Sequence, residues 1–330
     1  MGHKKYSQPR RGSLAYSPRG RAKSMEARIR TWPDITSEQP KLLGYAGFKV
    51  GCIQIVSIDD REKTPNHGKQ LVSLGTVVAT PPISIVGIRG YYHDNDGAHA
   101  LFDVYSSDMP KEISRLFTVK PKEGGLEKAE KMLNRVSELF AVVAVFPNTA
   151  GVEQKKPYVF EVAVKGGDLK KQFDFLKNLF GKQVKIEDVF ELGTTVDVAS
   201  VTKGKGIEGP ITRWGVKKKQ HKSRKSVRAL GSLGPISPAS IMYTVPRAGQ
   251  RGFHQRVEYN KRIMIMSITE KNEYKINPSG GFKHFGVVNG DFVVLKGSIP
   301  GTYRRLVKFR TQVRDVPSKV LKPNILEIVV

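Results

Sequence analysis

Positive charge in this sequence is concentrated in two stretches that contain many Gly and Pro and few apolar residues. Residues 1–30 hold nine Lys or Arg and one acid, and residues 203–262 hold fifteen Lys or Arg, two acids, eight Gly and four Pro. Repeated Gly and Pro exclude a long regular helix. Self-repulsion and missing apolar burial leave such a segment without a fold of its own, so both stretches predict a polyanion that orders them.

The intervening sequence has the opposite character and is the part that can bury a core. Residues 31–202 carry 21 basic and 22 acidic residues, in a chain of 330 residues with a formal net charge of +26. The chain has a single cysteine, Cys52, which excludes a disulfide framework within it. Because Cys52 lies in an apolar run, we expect it to be a core residue. No apolar run approaches the roughly 20 residues of a spanning helix, and no secretory signal is visible. We therefore expect a cytoplasmic protein that is not integrated into a membrane.

Short runs rich in Val, Ile, Phe and Tyr predict a mainly β fold. We expect strands at residues 50–58, 83–91, 100–105, 141–146, 158–164, 195–201, 262–268, 292–295, 306–309 and 325–330. Apolar residues recur every three or four positions from Leu126 to Phe140 and from Leu169 to Phe180, which predicts two amphipathic helices. This order predicts a basic N-terminal extension at 1–40, a β body at 41–80 and 186–330, an inserted α/β unit at 81–185, and a basic central loop at 203–262.

The catalytic and cofactor motifs in the sequence lack the context that their chemistry needs. Gly204, Gly206 and Gly209 form a GxGxxG pattern, but the residues that follow show no helical period and no acid lies about 20 positions on. Asp94 and Gly97 mark a hairpin turn rather than a calcium loop. The seven histidines lack the spacing of a metal site, and the sequence has no nucleophile elbow. We therefore expect no cofactor, no metal and no enzymatic activity.

Aromatic and amide side chains lie among the cations of the basic stretches, a combination that favours structured RNA. Cations neutralise phosphates, and flat rings stack on unpaired bases. Two interpretations of Trp214 stay open, stacking on RNA and packing inside the protein. The predicted RNA-binding residues are Lys4, Lys5, Arg10, Arg11, Arg19, Arg21, Lys23, Lys203, Lys205, Arg213, Trp214, Lys217, Lys218, Lys219, His221, Lys222, Arg224, Lys225, Arg228, Arg247, Gln250, Arg251, Phe253, His254, Arg256, Lys261 and Arg262.

The basic stretches and several shorter segments carry the pattern of a known family. The most specific segments are RAGQRGFHQRVEYNKR at 247–262 and VTKGKGIEGPITRWGVKKKQHKSRKS at 201–226. Further segments are HKKYSQPRRGSLAYSPRGRA at 3–22, GYAGFKVG at 44–51, GGFKHFG at 280–286 and VLKGSIPG at 294–301. Over essentially its whole length, the chain resembles the universal large-subunit ribosomal protein L3 family in its archaeal and eukaryotic form.

The resemblance implies a translation-factor-like β-barrel with an inserted α/β unit, whose N-terminal tail and central loop run through ribosomal RNA. It also implies an early role in subunit assembly, a loop that approaches the peptidyl transferase region, and large-subunit protein L14 as a neighbour. The chain departs from eukaryotic relatives at the loop apex, where Ile236 and Ser237 precede Pro238 in place of a tryptophan before a His-Pro pair. This departure puts stacking at the loop tip in question.

The leading hypothesis is a non-enzymatic protein of the large ribosomal subunit whose basic extensions hold RNA helices together by neutralising phosphates. The alternative from another class is an RNA-modifying enzyme, which would need a cofactor loop or an acid–base cluster. A DNA-compacting protein is disfavoured because a DNA coat needs no large neutral α/β unit. We expect large-subunit ribosomal RNA and neighbouring large-subunit proteins as partners, and no small-molecule substrate.

Overall fold

The computed structural model describes residues 10–118, 124–223, 226–267, 274–315 and 322–329. The fold is mainly β, as predicted. Packing divides the chain into two compact units, which we name the basic unit, Met1–Met25 with Val201–Gln255, and the body, Glu26–Ser200 with Arg256–Val330. Among the described residues, no helix has both the length and the apolar character needed to cross a membrane.

Fifteen strands and three α-helices are present in the described part of the chain. The strands are β1 Lys41–Leu42, β2 Gly44–Ile58, β3 Gln70–Ala79, β4 Ile83–Asp94, β5 Gly97–Tyr105, β6 Glu138–Val145, β7 Tyr158–Lys165, β8 Gln183–Val184, β9 Thr195–Val201, β10 Ile207–Glu208, β11 Gly249–Gln250, β12 Gln255–Ser267, β13 Phe292–Lys296, β14 Leu306–Thr311 and β15 Ile325–Val329. The helices are α1 Gly125–Met132, α2 Leu169–Leu179 and α3 Pro210–Trp214.

The strands of the body form two sheets. The first is antiparallel and has the order β1-β7-β6-β4-β5, with β8 paired to β4. The second has the order β14-β9-β12-β13-β3-β2-β15. Because β14 pairs with β2 as well as with β9, the pairings of six strands close into a ring.

Alternation of buried and exposed residues explains how β2 is placed in its sheet. Ile53 and Ile55 are buried, whereas Cys52 and Gln54 are exposed. The prediction that Cys52 is a core residue is therefore wrong. Successive side chains of a strand point to opposite faces, and the isoleucines occupy the inner one. The Cys52 thiol lies 3.8 Å from the hydroxyl of Thr76 on the paired strand β3.

One continuous group of buried apolar side chains connects the two sheets of the body. It includes Phe48 and Phe309 from the ring of strands, Val143 from the first sheet, and Phe173 and Leu176 from α2. Each of these five side chains is at most 1% exposed. Both sheets therefore depend on the same apolar burial for their stability.

Polar contacts hold residues 26–40 within the body, although this segment belongs to the predicted N-terminal extension. Lys308 forms a 2.6 Å ion pair with Glu26, and Arg310 donates a 2.5 Å hydrogen bond to the carbonyl of Thr31. Burial lowers the pKa of Lys308, and the nearby Glu26 carboxylate opposes that shift. The segment is thus packed into the body rather than into the basic unit.

Each predicted strand overlaps an observed strand, and the predicted hairpin turn joins β4 to β5. Strand β3 is absent from the prediction because Ser73, Gly75 and Thr76 interrupt its apolar pattern. Strand β12 begins at Gln255, so residues 256–262 lie in a strand rather than in the central loop. The predicted strand ends at 268 and 330 lie outside the described residues.

The second predicted helix is confirmed as α2, but the first is too long. Helix α1 ends at Met132, a short 3-10 turn covers Leu133–Arg135, and Phe140 lies in β6. The run from Glu138 to Val145 is rich in Val, Phe and Ala and pairs with strands on both sides. Pairing on two edges therefore overrides the helical spacing of the apolar residues.

We expect Phe173→Ala to lower the free energy of unfolding by about 3–5 kcal/mol, the usual cost of truncating a buried phenylalanine. Because the buried group spans both sheets, the change should shift one cooperative urea transition of the body, followed by circular dichroism. Met132→Ala on α1, where the side chain is 41% exposed, should cost about 0.5 kcal/mol or less. Separate unfolding of one sheet would contradict a continuous core.

Candidate nucleic-acid interface

The basic unit contains 19 Lys or Arg and one acid, which gives its sequence a formal charge of +18. The acid, Glu208, forms a 2.7 Å ion pair with Arg251. The sequence of the unit therefore offers no second carboxylate to its other cations. A surface of this kind attracts polyanions and repels cations.

Trp214 is buried within the basic unit and is 7% exposed. It ends α3, a single turn that begins with Pro210 and is followed by Gly215 in the left-handed conformation, with φ of 70°. The Arg19 guanidinium lies 3.9 Å from the centroid of the indole ring. The indole N–H donates a 3.0 Å hydrogen bond to the carbonyl of Arg247. These contacts favour the packing interpretation of Trp214.

Arg213 connects three backbone segments of the basic unit. Its guanidinium donates hydrogen bonds to the carbonyls of Gln250 at 2.9 Å, Arg247 at 3.1 Å and Arg19 at 3.2 Å. In return, the Arg19 guanidinium donates a 2.7 Å hydrogen bond to the carbonyl of Arg213. Both arginines thus donate hydrogen bonds to neutral acceptors, which hold their side chains in place.

Further hydrogen bonds join the N-terminal tail to the central loop inside this unit. The amide of Ala22 donates a 2.8 Å hydrogen bond to the carbonyl of Phe253, and the ring Nδ1 of His254 lies 2.8 Å from the carbonyl of Gly20. The Arg10 guanidinium donates to a carbonyl of the loop at 2.5 Å. The structure thus differs from the expectation that each basic stretch lacks a fold, because the two stretches supply contacts to each other.

Two glycines allow this close approach of backbone and ring. Gly252 has φ of 71°, and a Cβ at this position would lie 2.1 Å from the carbonyl oxygen of Lys203. Gly12 has φ of 72°, and a Cβ there would lie 2.5 Å from the ring of Trp214. Glycine adopts a left-handed backbone readily and has no Cβ that would overlap these neighbouring atoms.

The GxGxxG pattern is followed by a helix after all, since α3 begins directly after Gly209. The expectation of a stretch without helical structure is wrong there, because Pro210 starts one turn. A dinucleotide site is still not formed: α3 has five residues, and β10 pairs antiparallel with β11 rather than within a parallel βαβ unit. Among the described residues, no group of three or more His, Cys, Asp or Glu is arranged to hold a metal ion.

The predicted RNA-binding residues fall into groups with different exposure. The exposed ones are Arg10, Arg11, Arg21, Lys23, Lys203, Lys205, Lys217, Lys218, Lys219, His221, Lys222, Arg228 and Arg247. Those that are half-buried are Arg19, Arg213, Gln250, Arg251, Phe253, His254, Arg256, Lys261 and Arg262. Trp214 is buried, and Lys4, Lys5, Arg224 and Lys225 lie outside the described residues.

Three of the half-buried residues, Arg256, Lys261 and Arg262, belong to the body. Lys261 forms a 2.8 Å ion pair with Glu258, and Arg262 donates a 2.8 Å hydrogen bond to Asp60. Hydrogen bonds from Arg262 hold the pKa of Asp60 below its ordinary value. Lys261 and Arg262 are therefore paired with carboxylates, whereas the sequence of the basic unit contains one acid for 19 cations.

The sequence analysis did not single out Ile241 and Met242, which are 45% and 59% exposed. With Tyr243 they line a cleft of about 660 Å³ within the basic unit. Three consecutive large apolar residues in a basic, Gly-rich stretch are the sequence signal that could have identified this cleft.

Fold and interface together define a class of molecule: a mainly β, basic protein in which +18 of the formal net charge of +26 lies in one compact unit. The family model described as Ribosomal protein L3 matches residues 1–329. The chain belongs to the ribosomal protein L3 family, whose members are structural ribosomal proteins rather than enzymes.

Several relatives share this length and pattern. The large ribosomal subunit protein uL3 of Methanococcoides burtonii is 40% identical over 328 residues, which cover 97% of this chain and 96% of the relative. The protein of the same name from Methanococcus vannielii is 40% identical, with 99% and 98% covered. That of Caldivirga maquilingensis is 42% identical, with 94% and 91% covered.

We expect Gly252→Ala to loosen the basic unit, because the new Cβ would overlap the Lys203 carbonyl and the residue would keep a left-handed backbone that costs roughly 1–2 kcal/mol. Trypsin should then cleave within 201–255 faster than in the unchanged protein, while the body persists. Gly231→Ala is the control, since nothing lies within 4 Å of a Cβ at that position. Equal cleavage of both variants would contradict the proposed packing.

Proposed function

We propose that this chain is a structural component of the large ribosomal subunit that binds large-subunit ribosomal RNA through the basic unit. The observation that carries the proposal is the set of 19 cations accompanied by one acid, which is itself paired with Arg251. Membership of the ribosomal protein L3 family, and relatives named as large-subunit proteins, support it. In this proposal the protein works in the cytoplasmic ribosome and takes no small-molecule substrate.

The cations of the basic unit have two different roles in RNA binding. Exposed side chains such as Lys217, Lys218 and Lys219 are available to phosphates, and each phosphate contact releases condensed counterions. Arg19 and Arg213 instead donate to backbone carbonyls and fix the shape of the surface. In this way the charged surface neutralises RNA segments that would otherwise repel one another. Arg19, Arg213 and Trp214 then support RNA binding by positioning the exposed cations.

The architecture supports the division that the family resemblance implies. We propose that the closed ring of six strands is the translation-factor-like β-barrel, built from residues 41–80 and 186–330. Residues 81–185 form the inserted α/β unit, and residues 1–40 and 203–262 contain the extensions. The continuous core explains how an insertion of this size stays fixed to the barrel.

The apex of the central loop is exposed and is therefore accessible to ribosomal RNA. Ile236 is 97% exposed, so it can contact RNA but offers an aliphatic surface rather than a ring. We propose that the loop runs toward the peptidyl transferase region and that the protein acts early in subunit assembly. Protein L14 is the proposed neighbour among large-subunit proteins.

We expect binding to large-subunit RNA to depend steeply on salt. If about ten exposed cations meet phosphates, the logarithm of the affinity should fall against the logarithm of salt concentration with a slope of roughly −7 to −9. Replacing Lys217, Lys218 and Lys219 by Gln together should make that slope shallower by about 2 to 3, because three phosphate contacts are lost. Filter binding across a salt series measures both slopes.

The control replaces three lysines of the body by Gln, at Lys170, Lys171 and Lys177, which are exposed on α2. This triple variant loses the same charge and should keep the original slope. A parent slope near −2, or the same change in both triple variants, would contradict binding through the basic unit.

A protein without most of the central loop tests the role of that loop in the large subunit. Glu208 pairs with Gly249 at the end of the β10–β11 ladder, so residues 209–248 can be replaced by an Asn-Gly turn. The body should unfold at an unchanged urea concentration, because its core lies elsewhere. Cells that carry only this version should accumulate incomplete large subunits on sucrose gradients. Normal subunit profiles would show that the loop is dispensable.

A further inference from the structure

A cleft of about 660 Å³ lies wholly within the basic unit. Leu14 and Arg19 line it from the N-terminal tail, and Trp214, Met242 and Tyr243 line it from the central loop. Its volume lies in the range of roughly 300–1,000 Å³ that is usual for sites that enclose small organic groups. The contacts of Trp214 with Arg19 and Arg247 hold one wall of the cleft in place.

The other wall of this cleft exposes apolar surface that its own unit does not cover. Ile241, Met242 and Tyr243 are 45%, 59% and 77% exposed. Contiguous exposed apolar residues mark binding sites more often than chance surface. The basic unit is otherwise strongly cationic, so this surface points to an occupant with an apolar part.

Three arginines also line the cleft, which restricts the occupant further. Arg19, Arg213 and Arg247 contribute to it, and the one carboxylate of the unit's sequence is already paired with Arg251. The occupant must therefore carry an apolar, flat group together with negative charge. A nucleotide combines both, since its base stacks on aromatic and guanidinium planes while its phosphate binds cations.

We propose that this cleft receives one unpaired nucleobase of the bound RNA, stacked on the Tyr243 ring, with its phosphate on Arg247, the exposed arginine of the lining. The inference rests on the proposed function. It goes further by stating which RNA conformation the cleft binds. A base inside a helix is stacked on its neighbours and cannot enter, so the site favours a bulge or loop over a continuous duplex. An acidic peptide is less well matched, because the cations of the unit far outnumber the charges that one peptide segment would bring.

The test uses the full-length protein and an RNA hairpin with one bulged 2-aminopurine, whose fluorescence reports stacking. The same hairpin with 2-aminopurine paired in the stem is the comparison. The bulged probe should change its fluorescence on binding and the paired probe should not. Tyr243→Ala should weaken binding of the bulged hairpin by roughly 5- to 150-fold, the range for loss of one base–aromatic stack. Tyr243→Phe should retain binding.

Tyr16→Ala is the matched control, since Tyr16 is 57% exposed in the same unit and does not line the cleft. It should leave the affinity for the bulged hairpin unchanged. Steeply salt-dependent binding that is insensitive to Tyr243→Ala would overturn this inference and leave the proposed function standing. Displacement of the bulged base by an acidic aromatic peptide that binds more tightly would assign the cleft to a protein partner instead. Failure to bind either hairpin would overturn both proposals.

Discussion

Backbone carbonyls, which are neutral acceptors, hold three arginines of the basic unit in place. Arg10, Arg19 and Arg213 all donate to main-chain oxygens, and Arg19 also stacks on Trp214. A carboxylate would satisfy the same donors but would remove one positive charge for each pair. Neutral acceptors and an aromatic ring provide fixed geometry and leave the formal charge of +18 intact. In the proposed function, this retained charge is what attracts the RNA.

The body follows a different principle, in which buried apolar area provides the stability and buried charges are matched. Asp197 is buried and forms a 2.6 Å ion pair with Arg310, whose guanidinium also donates a hydrogen bond to the carbonyl of Thr31. Lys308 and Glu26 form a second such pair. Breaking a buried pair on one side leaves an uncompensated charge, so these pairs fix where residues 26–40 lie. The body thus pairs these buried cations with carboxylates, whereas Arg19 and Arg213 of the basic unit donate hydrogen bonds to backbone carbonyls.

Local sequence patterns predicted most of the strands because buried and exposed side chains alternate along consecutive residues of a strand. The bounds of β9, Thr195–Val201, agree with the prediction, and α2 agrees to within one residue. The patterns failed where strand pairing determines the secondary structure. Polar residues and glycine interrupt the apolar pattern of β3, and the predicted first helix extended into residues that form β6. The packing of the basic unit could not be predicted from local patterns, because the hydrogen bond between Arg19 and Arg213 joins residues 194 positions apart. The charge distribution nonetheless predicted a polyanionic ligand for the unit, and the predicted RNA-binding residues include every Lys and Arg that is exposed in its described part.

The carbonyl-bound arginines have a consequence for how the protein comes off its RNA and returns to it. Salt weakens exposed phosphate contacts strongly, because released counterions must be restored to the RNA, whereas the half-buried hydrogen bonds of Arg19 and Arg213 to carbonyls are much less screened. High salt should therefore strip the basic unit from RNA before it dismantles the unit's internal hydrogen bonds. The stripped unit keeps the shape that rebinding requires, and the loss of conformational entropy on reassembly is correspondingly small.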